Sequence, residues 1–152
     1  MRKKLWLCVP FAVLAAIDFG LTLSGQSPAY WQGDHSKVNE IFPLMAWGLR
    51  CGPLTFLFIC LLWVLVFSAL IVVLPDIASQ VLSLALVIGH TWGAMGWLVY
   101  RLRVEYHLCA LLFLLSAVLF IGAQAKWRKT QTAAHTAEHT MPAASHPPTG
   151  VH

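Results

Sequence analysis

Four stretches of the chain stay apolar for about the 20 residues that a helix needs to cross a hydrocarbon core roughly 30 Å thick. They are residues 5–23, 53–74, 77–100 and 106–125. The second and fourth hold no charged residue, whereas Asp18 interrupts the first and His90 lies inside the third. Backbone groups cannot stay unpaired in hydrocarbon, so each stretch is expected as a helix. The pattern therefore predicts an all-α, multi-pass integral membrane four-helix bundle.

Polar and turn-forming residues mark the connections. The link Leu74-Pro75-Asp76 is very short: proline stops one helix and Asp76 suits the N-cap of the next. The second and third spans are thus expected as an antiparallel hairpin. The loop 24–52 is the long connection, with Gly25, Pro28, Gly33 and Asp34 at turn positions. Its part 41–49 is too apolar for a plain loop and too short to span. It is expected as an interfacial or re-entrant segment before the second span, with Trp47 and Arg50 at headgroup level. From 130 to 152 the composition turns to Ala, Thr, His and Pro, which predicts a disordered cytoplasmic tail.

Composition reinforces this reading. Apolar residues make up 59% of the 152 and charged residues 11%, against about 45–50% and about 25% in a soluble domain. Such a chain cannot coat a water-soluble globule, so a soluble enzyme, a disordered protein and a disulfide scaffold are excluded. The formal charge of +4 does not point to nucleic acid, because the cations sit at segment ends. Six lie at 2, 3, 4, 126, 128 and 129, and four at 37, 50, 101 and 103. That bias places both termini in the cytoplasm of a cell membrane, with the loop 24–52 outside. A basic start followed by an apolar run also fits a secretory signal, but no small-x-small site follows cleanly and Asp18 interrupts the run, so a retained span is expected. The four cysteines form no CxxC pair. Cys51 and Cys109 fall near outer helix ends, where a disulfide is chemically allowed; free, buried thiols are the expected state.

An ionisable side chain inside a span is a functional-site hypothesis by default. Asp18 and His90 are expected at similar depths, about one helical turn apart. Thr22 shares the face of Asp18, and Phe11, Ala15, Asp18, Thr22 and Gly25 form one stripe. Ser83, Val87, His90, Ala94, Trp97 and Arg101 form the matching stripe of the third span. Both stripes lead towards Asn39 and Glu40, which suggests one polar pocket of Asp18, Thr22, Asn39, Glu40 and His90. The set Asp18, Glu40 and His90 suits zinc, iron or manganese, or a proton relay with these three as catalytic candidates. The bland alternative is structural glue between helices. Ala85, Gly89 and Gly93 make a small-residue stripe expected to pack inside the bundle, flanked by space-filling Trp92 and Trp97. A haem held by His90 and His107 is disfavoured by their different depths, and His135 with His139 reads as solvated tail.

The strings IDFGLTL in the first span and NEIFPLM before the second resemble a family of small uncharacterised bacterial and archaeal four-span membrane proteins. That family shows Asp-x-x-x-Thr in its first helix, here Asp18 and Thr22, and an acidic-Asn-Pro element in the next loop, here Asn39, Glu40 and, two residues further than expected, Pro43. The resemblance implies membrane residence and no activity. In layout the chain is also similar to lipoprotein signal peptidase, but the catalytic aspartate pair of that enzyme is absent, so its mechanism is not implied. Three functions follow as expectations: a non-catalytic assembly or accessory protein, with a membrane-protein partner or a second copy; a membrane enzyme or metalloprotein acting on an amphiphile; and a small oligomeric proton-coupled transporter. The first ranks highest.

Overall fold

The structure is a computed structural model that describes residues 4–101 and 106–140. Arg2, Lys3, Arg103 and residues 141–152 lie outside the described residues, as do the side chains of Arg101, His135 and His139. The elements in chain order are α1 (Leu5–Ser24), α2 (Pro28–Trp31), α3 (Pro43–Arg50), α4 (Pro53–Val73), α5 (Asp76–Gly96), a π-helical turn (Trp97–Arg101) and α6 (Tyr106–Thr140). No strand occurs among the described residues. Four of the helices are long and apolar enough to cross a membrane.

α1 and α5 form the central pair, flanked by α4 and α6, and α1 touches all three other long helices. The central pair is parallel, as its register shows. Side-chain bonds join Lys4 to Ser79, Leu7 to Ser83 and Asp18 to His90, at offsets of 75, 76 and 72 residues. A near-constant offset over four turns means that the helices run side by side in the same direction. The expected inward stripes hold: Phe11, Ala15, Thr22, Gly25, Ser83, Val87, His90 and Ala94 are all buried. On α6, Cys109, Leu112, Ser116, Ala123 and Trp127 are buried at helical spacing.

Polar contacts fasten one end of the bundle. Lys4 Nζ donates to the Leu74 carbonyl and lies 2.9 Å from Asp76 Oδ1. Ser79 Oγ donates to the Ile71 carbonyl at 2.7 Å, closing the hairpin between α4 and α5. Asp76 is therefore not the cap expected of it. It opens the first turn of α5, where its charge meets both the helix dipole and Lys4. On the flanking helix, the Lys126 ammonium stands 4.0 Å from the Trp6 ring.

At the other end, α2, α3 and their loop fold over α4. Tyr30, Met45, Leu49 and Phe56 form a small second core there. Gly52 joins α3 to α4 at φ 109°, a conformation that favours glycine. The segment 41–49 thus becomes a short helix with a buried and an exposed face. Ile41, Phe42, Leu44 and Trp47 remain exposed although apolar. Burial pushes the Tyr30 phenol up from its ordinary range, and its hydroxyl has no partner among the described residues.

Several expectations are corrected. The tail does not begin at 130, because α6 continues to Thr140. Residues 130–140 contain no Gly or Pro, and Ala, Gln and Glu carry the helix on. Trp92 fills no internal space and is 79% exposed. Cys51 is exposed and not buried as expected, whereas all four cysteines are free as expected and Cys109 is buried.

Three stability outcomes follow, all measurable by thermal unfolding in mild detergent. Lys4→Met should cost about 1–2 kcal/mol, since it removes charge-assisted bonds to a carbonyl in a half-enclosed site. Asp76→Asn should cost less than about 1 kcal/mol, because that carboxylate is half exposed. Tyr30→Phe should be neutral or stabilising by up to about 1 kcal/mol, as it deletes a buried hydroxyl that bonds to nothing; a clear loss of stability would show that the hydroxyl has a partner.

Candidate functional site

Asp18 and His90 meet directly. His90 Nδ1 lies 2.8 Å from Asp18 Oδ2, and the Trp63 indole N–H of α4 donates to His90 Nε2 at 3.3 Å. An indole nitrogen can only donate, so Nε2 is the bare nitrogen and Nδ1 carries the proton. Nδ1–H therefore donates to Asp18 Oδ2. Three helices are joined in one chain of hydrogen bonds, α4 to α5 to α1.

Local sequence makes the contact feasible. Six residues separate Asp18 from the last residue of α1, and six separate His90 from the last α-helical residue of α5. The two ends are matched as well: Trp97, the first residue of the π-helical turn, packs so closely on Gly25 that an added Cβ there would lie 2.3 Å from its ring. The third span runs on to Tyr100 through the π-helical turn, and the two side chains bridge the expected offset of about one turn to meet at 2.8 Å. Gly93 supplies the remaining space. A Cβ at that position would stand 2.8 Å from both oxygens of Asp18. Phe11 and Phe19 enclose the imidazole, with ring centroids 5.5 and 5.2 Å away. Phe67 and Phe42 hold the Trp63 ring at 4.5 and 5.9 Å.

This chain of bonds forms one wall of a cleft of about 310 Å³ between α1, α4 and α5. Asp18, Thr22, Glu40 and His90 bring polar groups to it; Phe19, Phe42, Phe56, Trp63 and Trp97 bring aromatic surface. Ala85 and Gly89 line it from the exposed face of α5, so the cleft opens at the side of the bundle. The small-residue stripe is therefore not a packing seam within this chain. Gly93 alone of the three makes a close approach, and an added Cβ at Gly89 would meet open space. These residues keep a passage open where larger side chains would fill it.

The expected pocket is otherwise assembled with one exception. Glu40 lines the cleft, and its Oε1 accepts the backbone N–H groups of Ile41 and Phe42, both at 2.8 Å. Asn39 takes part through its backbone. Its N–H donates to Gln26 Oε1 at 3.0 Å, and Gln26 Nε2 donates to the Thr22 carbonyl at 2.8 Å. Gln26 thereby ties the loop to the end of α1 and sets Glu40 over the cleft.

The metal expectation for Asp18, Glu40 and His90 is not met by this arrangement. Among the described residues, no three His, Cys, Asp or Glu side chains are grouped to hold a metal ion. Asp18 and His90 turn their facing atoms on each other, and Glu40 turns one oxygen on its own backbone. His90 faces α1 and α4, whereas His107 is exposed in the first turn of α6.

Trp63 and Gln26 were the functional residues that spacing and charge did not reveal. Trp63 had a signal, since an indole N–H in an otherwise uncharged span needs an acceptor and His90 is a natural one. Gln26 had a weaker one: it lies four residues beyond Thr22, in reach of a carbonyl left unpaired at the helix end. No protein family, curated protein or solved structure matches the chain.

Two glycines one turn apart should behave oppositely. Gly93→Ala drives a methyl into the Asp18 carboxylate and should cost about 1–3 kcal/mol. Gly89→Ala should be neutral or stabilising by up to about 1 kcal/mol, because helix propensity improves and nothing is displaced. Equal midpoints for the two variants in detergent would contradict this placement of Asp18.

Proposed function

We propose that the chain is an integral protein of the cell membrane, with both termini cytoplasmic, that binds an amphiphile in the cleft and does not transform it. It acts as an accessory protein. The observation that carries this reading is the occupied state of His90 beside a cleft that opens sideways. A general base needs a lone pair within reach of the proton it takes. His90 Nε2 instead accepts from Trp63, and Nδ1–H is held by Asp18. The trio is a rigid polar wall, suited to recognition rather than proton transfer.

Membrane residence is supported by the exposed surface. α4 has the highest mean hydropathy of the four long helices, 3.1 in its most apolar window, yet it is among the least buried. Leu54, Leu57, Phe58, Leu61, Leu62 and Leu65 all stand exposed along it. A contiguous apolar face of that length is far beyond what a water-soluble monomer presents. With acyl chains around it, a cleft opening past Ala85 and Gly89 admits a lipid-like molecule without passage through water. The exposed side of α3, with Trp47 and Arg50, fits the headgroup layer on the same side as the cleft.

Two experiments test the reading. Native mass spectrometry of protein released from mild detergent should show a single retained amphiphile, lost in Gly89→Leu, which plugs the opening while leaving every polar group in place. A Gly89→Leu protein that keeps the adduct would sink the binding role. For topology, a membrane-impermeant maleimide applied to intact cells should label Cys51 and no other cysteine. Protection of Cys51 until the membrane is broken would invert the proposed orientation.

A further inference from the structure

We infer that the molecule held in the cleft carries a primary ammonium head; this rests on the binding role proposed above. The reasoning begins with charge. The Trp63 N–H occupies His90 Nε2, so His90 supplies Asp18 with a hydrogen bond from Nδ1 and not with a cation. Glu40 adds a second carboxylate to the same cleft, and none of the residues lining it is Lys or Arg. The described cations with partners are engaged elsewhere: Lys4 with Asp76, and Lys126 over Trp6. Asp18 is part-buried with no Lys or Arg beside it in the cleft lining, so a cationic guest that donates to it is favoured over an anionic head.

Hydrogen-bonding capacity narrows the guest further. Asp18 engages His90 through Oδ2, and Oδ1 has no partner among the described residues. Glu40 engages its backbone through Oε1, and Oε2 likewise has none. Thr22 is 3% exposed, lines the same cleft, and its hydroxyl has no partner among the described residues. Its hydroxyl is available as a further acceptor at the cleft wall. Three acceptors match the three N–H donors of a primary ammonium group. The ring faces around them favour a cation over a neutral head. The chain of the guest leaves through the side opening at Ala85 and Gly89, which makes the ligand an amphiphile and not a soluble amine.

The test uses the full chain in nanodiscs of a neutral lipid and compares bound probe with empty nanodiscs at pH 7. Dodecylammonium should show saturable excess binding that dodecyl sulfate and dodecanol do not displace. Asp18→Asn and Glu40→Gln should each weaken it by roughly tenfold or more, as expected for charge-assisted bonds, with thermal midpoints close to the parent's. Gly89→Leu, which leaves both carboxylates untouched, should abolish binding without lowering the midpoint. Equal binding of dodecanol or dodecyltrimethylammonium would overturn the primary ammonium assignment while leaving an amphiphile site. Displacement by ethylammonium as effective as by dodecylammonium would overturn the lipid-like class in favour of a soluble amine. Failure of all the dodecyl probes to bind saturably would take down the underlying binding role as well.

Discussion

The contact between Asp18 and His90 is the constraint around which the rest of the bundle is arranged. An aspartate in an apolar helix must find a donor or become neutral, and only α5 offers one at the right height. Bringing the two side chains to 2.8 Å fixes the register of α1 on α5. That register requires the absence of a side chain at Gly93 and at Gly25, since both close approaches lie on the same interface. It also sets Leu7 against Ser83 and Lys4 against Ser79 at the far end. One buried polar pairing thus determines which residues at the other end can be hydrogen-bonded.

In a bilayer, apolar surface gains nothing by leaving lipid for protein, so packing and interhelical polar bonds must hold the helices together. The distribution of hydroxyls fits that demand. Ser79, Ser83, His90 and Thr91 lie along the inward side of α5. They reach α4 through Ile71, α1 through Leu7 and Asp18, and α6 through Ser116. Thr91 Oγ1 and Ser116 Oγ are 2.8 Å apart while each also lies 2.7 Å from the carbonyl four residues before it. Each such bond is worth about 0.6 kcal/mol on average, so their value lies in specifying partners more than in strength. α5 is accordingly the least hydropathic of the four long helices, and it is the one that touches all the others together with α1.

The four long helices and the hairpin at Pro75 were legible because hydrophobic runs and proline act locally. The inward faces of α1 and α5 were legible too, since polar residues at helical spacing in apolar segments have only one direction in which to find partners. What remained hidden depended on contacts between segments. Trp63 lies in a span whose other residues show no preferred face, so nothing local indicated that its indole pointed at His90. The stripe Ala85, Gly89, Gly93 carries the same small residues whether it faces a helix or a cleft, and only the neighbour decides. The tail was misplaced for a different reason: a polar segment after an apolar helix lacks a core to fold against, but a helix already nucleated by α6 needs only continued propensity to extend.

The same tautomer that occupies both ring nitrogens of His90 leaves the cleft wall without a cation. Were the imidazole protonated on both nitrogens, Trp63 would lose its acceptor, and the indole N–H would be left facing a donor. Phe42 and Phe67 pack on the Trp63 ring. The trio thus sets a histidine that donates against an aspartate, with no Lys or Arg among the residues lining the cleft. Asp18, Glu40 and Thr22 stand together at an open cleft, and it is this opening beside the polar wall that the proposed binding of an amphiphile rests on.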